Sequence, residues 1–433
     1  MHDDAPVQPR PPADCRMTSR RPLLRSLVPL VGILACHSTR PNMMPAARPM
    51  AAVSSLVGAR PADVGLDPRL GRELDSIAAA AIARRTAPGL SIAVGRYGRL
   101  VHLKGYGHVD WAPGMPAVDG TTMYDLASLT KVIATTTAAM ILEEAGLLDV
   151  DSTVAHYLPE FAAYDTLKAR ITLRMLLTHS GGLEAYAALY EHYRGRAQYL
   201  EQIARRPLKS VPGTAMVYSD WDMIVLQLVL ERISGEPLDY FCERRIFAPL
   251  GMRDTHFLPD ASLRPRIAAT AVDTSRGGLL WGVVHDGNAW AMGGVSGHAG
   301  LFSSAADLAV FAHFLLNGGE YGGVRLLHPA TIARWTARQD AGSSRALGWD
   351  TPSPPSSSGQ HFSPRSFGHT GFTGTSFWVD PERGLFVIVL ANRVNSEGST
   401  TTHAALRRDV GDAVQEAVLN APLMAWEQAA GHG

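Results

Sequence analysis

The run Ser128-Leu129-Thr130-Lys131-Val132-Ile133-Ala134-Thr135-Thr136-Thr137-Ala138-Ala139-Met140-Ile141-Leu142-Glu143-Glu144-Ala145 is long, mainly apolar and stopped by Gly146. That pattern predicts a long apolar helix. Upstream, Leu90–Val94 and Arg99–Lys104 are short apolar strands around Tyr97-Gly98, a predicted hairpin. Downstream, Gly374–Val379 and Leu385–Ala391 flank Asp380-Pro381-Glu382-Arg383-Gly384, a second hairpin. Helical patterns cover Leu70–Arg84, residues 184–209, Ala215–Ser234 up to Gly235, Ala306–Leu316 before Gly318-Gly319, and His403–Leu419. Pro352–Pro364 is a Ser/Pro-rich loop. Strands therefore sit at both ends and helices in the middle. The expected class is α/β (α+β), an antiparallel sheet flanked by helices, with an inserted all-helical lobe. The sheet lobe would take 62–122 and 293–421, and the helical lobe 123–292.

The chain has 433 residues, 46% hydrophobic and 18% charged, enough for a large buried core. Forty basic residues balance forty acidic ones, which argues against nucleic-acid or membrane binding through a general basic field. Three cysteines (Cys15, Cys36, Cys242) exclude a disulfide framework and a cysteine-rich zinc module; Cys242 reads as a small buried apolar residue. Only Lys104, Lys131, Lys168 and Lys209 are lysines; every other basic residue is arginine.

The N-terminal 36 residues read as an export signal. From Met17, a basic start leads into the apolar run Leu27–Ala35, too short to span a bilayer as a mature helix. Ser19-Arg20-Arg21-Pro22-Leu23-Leu24 resembles a twin-arginine signal. Ile33-Leu34-Ala35-Cys36 resembles a bacterial lipobox, in which Cys36 carries lipid and tethers the protein to a membrane; the alternative is an ordinary signal cut nearby. The expected location is the bacterial periplasm, free or anchored. Met17 is an alternative start, because the polar, Pro-rich residues 1–16 sit badly before such a signal. A Pro/Ala-rich tether (37–61) and a tail (422–433) flank the folded part.

Three constellations carry chemistry. Ser128 and Lys131 are one helical turn apart, so the amine can act as base for the hydroxyl; an arginine could not, since it stays protonated. Taken alone, the pair reads more readily as a capping serine with an exposed lysine. Tyr218-Ser219-Asp220 follows Pro212-Gly213 and, alone, fits a capped helix start. His369-Thr370-Gly371-Phe372-Thr373-Gly374-Thr375 places glycines in a predicted strand, the mark of close approach by a backbone or ligand, or of a bulged edge.

In this order the three resemble the active site of the serine β-lactamase and penicillin-binding-protein superfamily, in its class C β-lactamase-related branch. Asp125-Leu126-Ala127 before Ser128 is similar to that branch. So are Met175-Leu176-Leu177-Thr178-His179-Ser180-Gly181-Gly182-Leu183, Pro249–Thr255 and Gly300–Leu308; the resemblance covers roughly 62–420. It implies that Ser128 is the acylated nucleophile, Lys131 its base and Tyr218 the proton relay. The oxyanion hole would be the amides of Ser128 and Phe372. Asp220, His369, Thr370 and Gly371 would contact substrate. Asp220 stands where Asn is usual and would raise the lysine's pKa. His369 stands where β-lactamases carry Lys, a departure that fits peptidases, amidases and esterases better than an efficient β-lactamase.

Val284–Ala289 and Gly293–Gly300 resemble a secreted subgroup tied to cell-wall peptide turnover, in which His285, Asp286 and Asn288 would form a pocket wall; a Gly-rich connection with capping side chains explains them equally. His285, Asp286 and His298 lack helical spacing for zinc, so neither metal nor cofactor is expected. Tyr186, Tyr190, Tyr193 and Tyr199 either line an aromatic lid or pack a helix onto the helical lobe. Neither a Gly-x-Ser-x-Gly elbow nor a dinucleotide fingerprint occurs. The expected partner is a small-molecule or peptide substrate. The expected activity is acyl-Ser128 hydrolysis of peptidoglycan-derived peptides, of D,D-carboxypeptidase or muropeptide amidase type. A carboxylesterase for small acyl esters and a non-catalytic peptidoglycan-binding module are the alternatives.

Overall fold

The two hairpins from opposite ends of the chain join into one antiparallel sheet. The computed structural model describes residues 56–353, 356–395 and 400–423. The export signal, Cys36, nearly all of the tether and most of the tail lie outside the described residues. The sheet consists of β1 (Gly89–Arg96), β2 (Arg99–Gly107), β3 (Phe367–Thr370), β4 (Ser376–Asp380) and β5 (Leu385–Ala391). Their order is β3-β4-β5-β1-β2, so the C-terminal β5 pairs with the N-terminal β1, from Leu90 opposite Ala391 to Arg96 opposite Leu385.

Both faces of the central strands are covered, which explains why β1 and β5 read as unbroken apolar runs rather than alternating ones. The pleat sends Leu385, Val387 and Val389 into one cluster with Leu70, Leu74 and Ala78 of α1 (Leu70–Ala83), and with Leu406, Val410 and Val414 of a C-terminal helix, Thr400–Glu416. Phe386, Ile388 and Leu390 point the other way, into a second cluster with Leu308, Phe311 and Ala312 of the helix Ala305–Leu316. That second cluster continues through Ile133, Leu142, Leu176, Trp221 and Leu230, so helices between β2 and β3 share one core with the sheet. Among the described residues no helix is long and apolar enough to cross a membrane.

The lobe 123–292, expected to be all-helical, also holds the short strands Met123–Asp125, His256–Phe257, Ala271–Asp273 and Gly278–Leu280, and the helix expected from Ser128 is not α-helical until Thr137. Three further predicted elements differ from those observed. Of 184–209 only Gly195–Arg205 is α-helical. Upstream, the buried Asn288 side chain takes the Tyr190 amide and donates to the Ala187 carbonyl, partners that replace helical ones. The helix predicted from Ala215 begins at Asp220, because Ser219 Oγ accepts the Trp221 amide and caps it there. The glycine-rich motif leaves its strand at Thr370, and residues 371–375 form a turn closed by the Gly371 amide on the Thr375 carbonyl, 2.8 Å.

Arg96, 1% exposed, ties the two ends of the chain together. Its guanidinium donates to the carbonyls of Val64, Gly65 and Arg383 and to Asn420 Oδ1, at 2.7–3.1 Å. Arg96→Met strands these acceptors in a dry site. It is expected to lower the free energy of unfolding by about 2–4 kcal/mol. Denaturant titration checks this; an unchanged midpoint would contradict it.

Candidate active site

The Ser128 segment is a compound helix. A 3-10 turn (Ala127–Leu129) runs into a π turn (Lys131–Thr136) and then into an α-helix, Thr137–Glu144. Irregular helical turns of this kind concentrate at functional sites. Ala127, just before the serine, has φ +46°, a left-handed backbone that a side-chain-bearing residue adopts only when its surroundings enforce it. Two threonines supply the enforcement. Thr373 Oγ1 donates to the Asp125 carbonyl at 2.6 Å, and Thr375 Oγ1 donates to the Leu126 carbonyl at 3.0 Å. The turn after β3 is thereby fastened to the serine's approach. Gly371 is required there, since a Cβ would fall 2.3 Å from the Leu126 carbonyl oxygen. Ser128 and Phe372 thus both line a cleft of about 1240 Å³.

Lys131 is buried and its Nζ makes three hydrogen bonds: to Ser128 Oγ at 2.9 Å, Asp220 Oδ1 at 2.8 Å and the His298 carbonyl at 3.1 Å. An ammonium donates all three. A neutral amine keeps two and accepts the serine proton with its lone pair. The network therefore accommodates both protonation states, and only the direction of the Ser128–Lys131 bond reverses. Burial pulls the Lys131 pKa down, but the Asp220 carboxylate and Tyr218 push it up, and the net shift is above the ordinary lysine value. The resting site holds an ammonium, not an uncharged amine.

Tyr218 stands beside this pair, with Lys131 Nζ 4.9 Å and the Arg345 guanidinium carbon 5.0 Å from its ring centroid. His369 is buried and neutral. Burial, then the charges of Arg345 and Lys131, hold its pKa well below the usual histidine value. Its Nδ1 donates to the Thr370 carbonyl at 2.8 Å and its Nε2 faces Arg345 Nη1 at 3.4 Å.

Asp220, His285, His369, Thr370, Gly371 and Phe372 all line the cleft. Asn288 does not: it is fully buried and holds the Tyr190 amide and the Tyr199 hydroxyl in place, the latter at 2.8 Å. His285 stacks on Phe372, centroids 5.7 Å apart. Tyr186 and Tyr190 line the cleft while Tyr199 packs inside, so the tyrosines divide between wall and core. Asp220, Asp286 and His298 bring ligand-type atoms within 4.8 Å of one another. Lys131 already supplies the cation at Asp220, and Asp286 Oδ1 is taken by His298 Nε2 at 2.8 Å. His285 is not in that group.

Sequence reading missed Arg345, Arg393 and Arg407, which line the cleft around His369 and Phe372. Arg393 Nε donates to the Phe372 carbonyl at 2.6 Å, and Arg407 Nη2 donates to the Thr375 carbonyl at 2.8 Å. No carboxylate among the described residues forms an ion pair with Arg393 or Arg407. In a chain whose basic residues are nearly all arginine, nothing in the sequence marks these three out.

A serine, an amine and a phenol converging on one cleft, on this fold, define a serine hydrolase. The chain belongs to the β-lactamase family, which it matches over residues 74–412. It is 40% identical over 307 residues to a protein of Escherichia coli K12 named "Putative D-alanyl-D-alanine carboxypeptidase", covering 64% of this chain and 70% of that one. Two solved structures share the fold. One is a penicillin-binding-protein homologue from Caulobacter crescentus (TM-score 0.65, 21% identity, 81% of this chain and 99% of that one). The other is the hydrolase EstCE1, described as having promiscuous acyltransferase activity (TM-score 0.65, 24% identity, 80% and 98%).

If Lys131 must be neutral to take the serine proton, the Asp220 carboxylate delays that state to higher pH. Asp220→Asn removes the carboxylate, lowers the Lys131 pKa and moves the rising limb of the rate profile to lower pH. The ratio of kcat/KM in mildly acid to alkaline buffer is expected to rise by roughly tenfold. An unmoved limb would contradict this account of Lys131.

Proposed function

We propose that this protein is an exported D,D-carboxypeptidase that acts through an acyl-Ser128 intermediate on peptidoglycan-derived peptides. The observation that carries the reading is the 2.9 Å bond between Ser128 Oγ and Lys131 Nζ beside a cleft that Arg345, Arg393 and Arg407 also line. The proposal of export rests on the signal-like residues 17–36.

The geometry supports the following steps. Neutral Lys131 takes the Ser128 proton along their existing hydrogen bond as Oγ attacks the scissile carbonyl carbon. The oxyanion lies against the amides of Ser128 and Phe372, each worth about 3–4 kcal/mol in the transition state. The C–N bond breaks, and the leaving amine receives a proton from the Tyr218 phenol, which Lys131 resupplies. Lys131, neutral again, then draws a proton through the Tyr218 hydroxyl from the water that attacks acyl-Ser128, and returns it to Oγ as the acyl C–O bond breaks.

A carboxypeptidase substrate ends in a carboxylate on its leaving residue. His369, being neutral, offers that carboxylate little. The cleft meets the need through Arg345, beside His369, and through Arg407. Burial, then Arg393, pulls the Arg407 pKa down to about 9, so an anion brought to it offsets a charge that the fold leaves poorly solvated. This supply of cations supports an anionic substrate over the neutral esters that His369 alone would favour, and it favours the carboxypeptidase over the muropeptide amidase reading.

The test compares diacetyl-L-lysyl-D-alanyl-D-alanine with its C-terminal amide. Arg345→Ala is expected to raise KM for the free acid by roughly tenfold or more and to leave the amide within about twofold. Equal losses on both, or no release of D-alanine by the unaltered enzyme, would overturn the assignment.

A further inference from the structure

The segment Leu177-Thr178-His179-Ser180-Gly181-Gly182 carries a histidine to which the reaction above gives no task. It leaves its helix (Leu173–Leu177) through His179 itself, at φ +55°, a left-handed backbone on a residue that is neither Gly nor Asn. The corner is a junction. The Leu177 carbonyl accepts the Gly348 amide at 2.9 Å, binding the segment that bears Arg345. The His179 carbonyl accepts the Val217 amide at 2.8 Å and the Ser180 carbonyl accepts the Gly213 amide at 2.8 Å, binding the segment that bears Tyr218.

The side chain continues the pattern. His179 is 1% exposed, and its ring lies 4.6 Å from the Tyr218 ring, centroid to centroid. Nδ1 lies 2.9 Å from Asp222 Oδ2 and accepts the Ser219 amide at 3.3 Å. Asp222, also 1% exposed, stands in the first turn of the helix Asp220–Ser234, two residues beyond the carboxylate that holds Lys131. Asp222 Oδ1 is buried without a hydrogen-bond partner; a Cβ on Gly181 would come within 3.2 Å of it, so the neighbouring glycine makes room for the acid. His179 Nε2 and the Tyr218 hydroxyl are likewise buried without hydrogen-bond partners.

We propose that His179 and Asp222 form a buried acid–imidazole pair that positions Tyr218 for proton transfer to the leaving group. The inference rests on the hydrolase reading above and adds two positioning residues to it. With the acid's O–H and the Ser219 N–H both directed at Nδ1, the imidazole proton sits on Nε2 and the ring orientation is fixed from two sides. Tyr218, one residue before Ser219, inherits that orientation. The pair adds no third cation beside Lys131 and Arg345. Burial, then Asp220, raises the Asp222 pKa well above the carboxylate range, and burial, then Arg345 and Lys131, lowers that of His179.

The test uses two esters of one acid. Ethyl butyrate has a poor leaving group that needs a proton; p-nitrophenyl butyrate has a good one that does not. Loss of an aligned Tyr218 slows acylation by the first far more than by the second, whereas general damage to the fold slows both alike. Tyr218→Phe sets the reference. His179→Phe keeps a ring but not Nδ1, and is expected to cut kcat/KM, which reads the steps up to leaving-group release and not the shared deacylation, by at least roughly tenfold on ethyl butyrate while p-nitrophenyl butyrate falls less than about threefold. Asp222→Leu is expected to match it. Asp222→Asn, whose amide can still donate to Nδ1, is expected to stay within about threefold of the unaltered enzyme on both esters. The double variant His179→Phe, Tyr218→Phe should be no slower than Tyr218→Phe alone. Equal losses on the two esters, additive losses in the double variant, or Asp222→Asn as damaging as Asp222→Leu would overturn the proposal and leave the hydrolase reading standing. If neither ester is turned over, the same comparison is made between diacetyl-L-lysyl-D-alanyl-D-alanine and its D-thiolactate thioester, whose thiolate leaves without a proton; an unaltered enzyme that hydrolyses none of these would overturn both.

Discussion

One buried nitrogen holds the site together. Lys131 Nζ bonds to its own helix at Ser128, to the start of the helix Asp220–Ser234 and to the backbone at His298. These segments are far apart in sequence, and they converge because each supplies an acceptor that the ammonium satisfies. A cation inside a protein must be paired and hydrogen-bonded, or its desolvation outweighs what it contributes. Here the full set of partners meets that requirement and also prepares a proton path, since the bond to Ser128 survives reversal of its direction. Asp220 thus stabilises the fold at the seam and restrains the chemistry, by favouring the charged form of the base.

The second constraint is the fastening of the turn 371–375 to the residues before Ser128. Two threonine hydroxyls and the close approach at Gly371 fix the relation between the Phe372 and Ser128 residues. The sheet edge that carries this turn is the C-terminal β3, while the serine follows the N-terminal hairpin. The site therefore exists only once the chain ends have paired through β1 and β5. Rigid strands and apolar clusters on both faces supply the positional precision that catalysis by proximity demands.

Sequence showed the frame well. Apolar runs bounded by turn residues located both hairpins, and the Ser128–Lys131 spacing, the tyrosine after Pro212-Gly213 and the glycine-rich motif all reach one cleft. It failed where tertiary partners override local pattern. The tyrosine-bearing stretch 184–194 is irregular because a distant amide, Asn288, takes its backbone groups; that same task removes Asn288 from the cleft wall. The charge of the cleft was also illegible. His369 suggests a site without a cation, yet Arg345 arrives beside it from 24 residues upstream across a loop that no periodicity predicts. The pairing of His179 with Asp222 was hidden for the same reason, as both look like ordinary helix-end residues until the fold buries them together.

The most direct test of the central claim is peptide mapping by mass spectrometry after brief incubation with a peptidoglycan-type acyl donor and acid quenching. The account predicts one acyl adduct, on the peptide containing Ser128, present in the unaltered protein and lost in both Ser128→Ala and Lys131→Met. An adduct on any other residue, or one that persists without the lysine amine at undiminished rate, would contradict it.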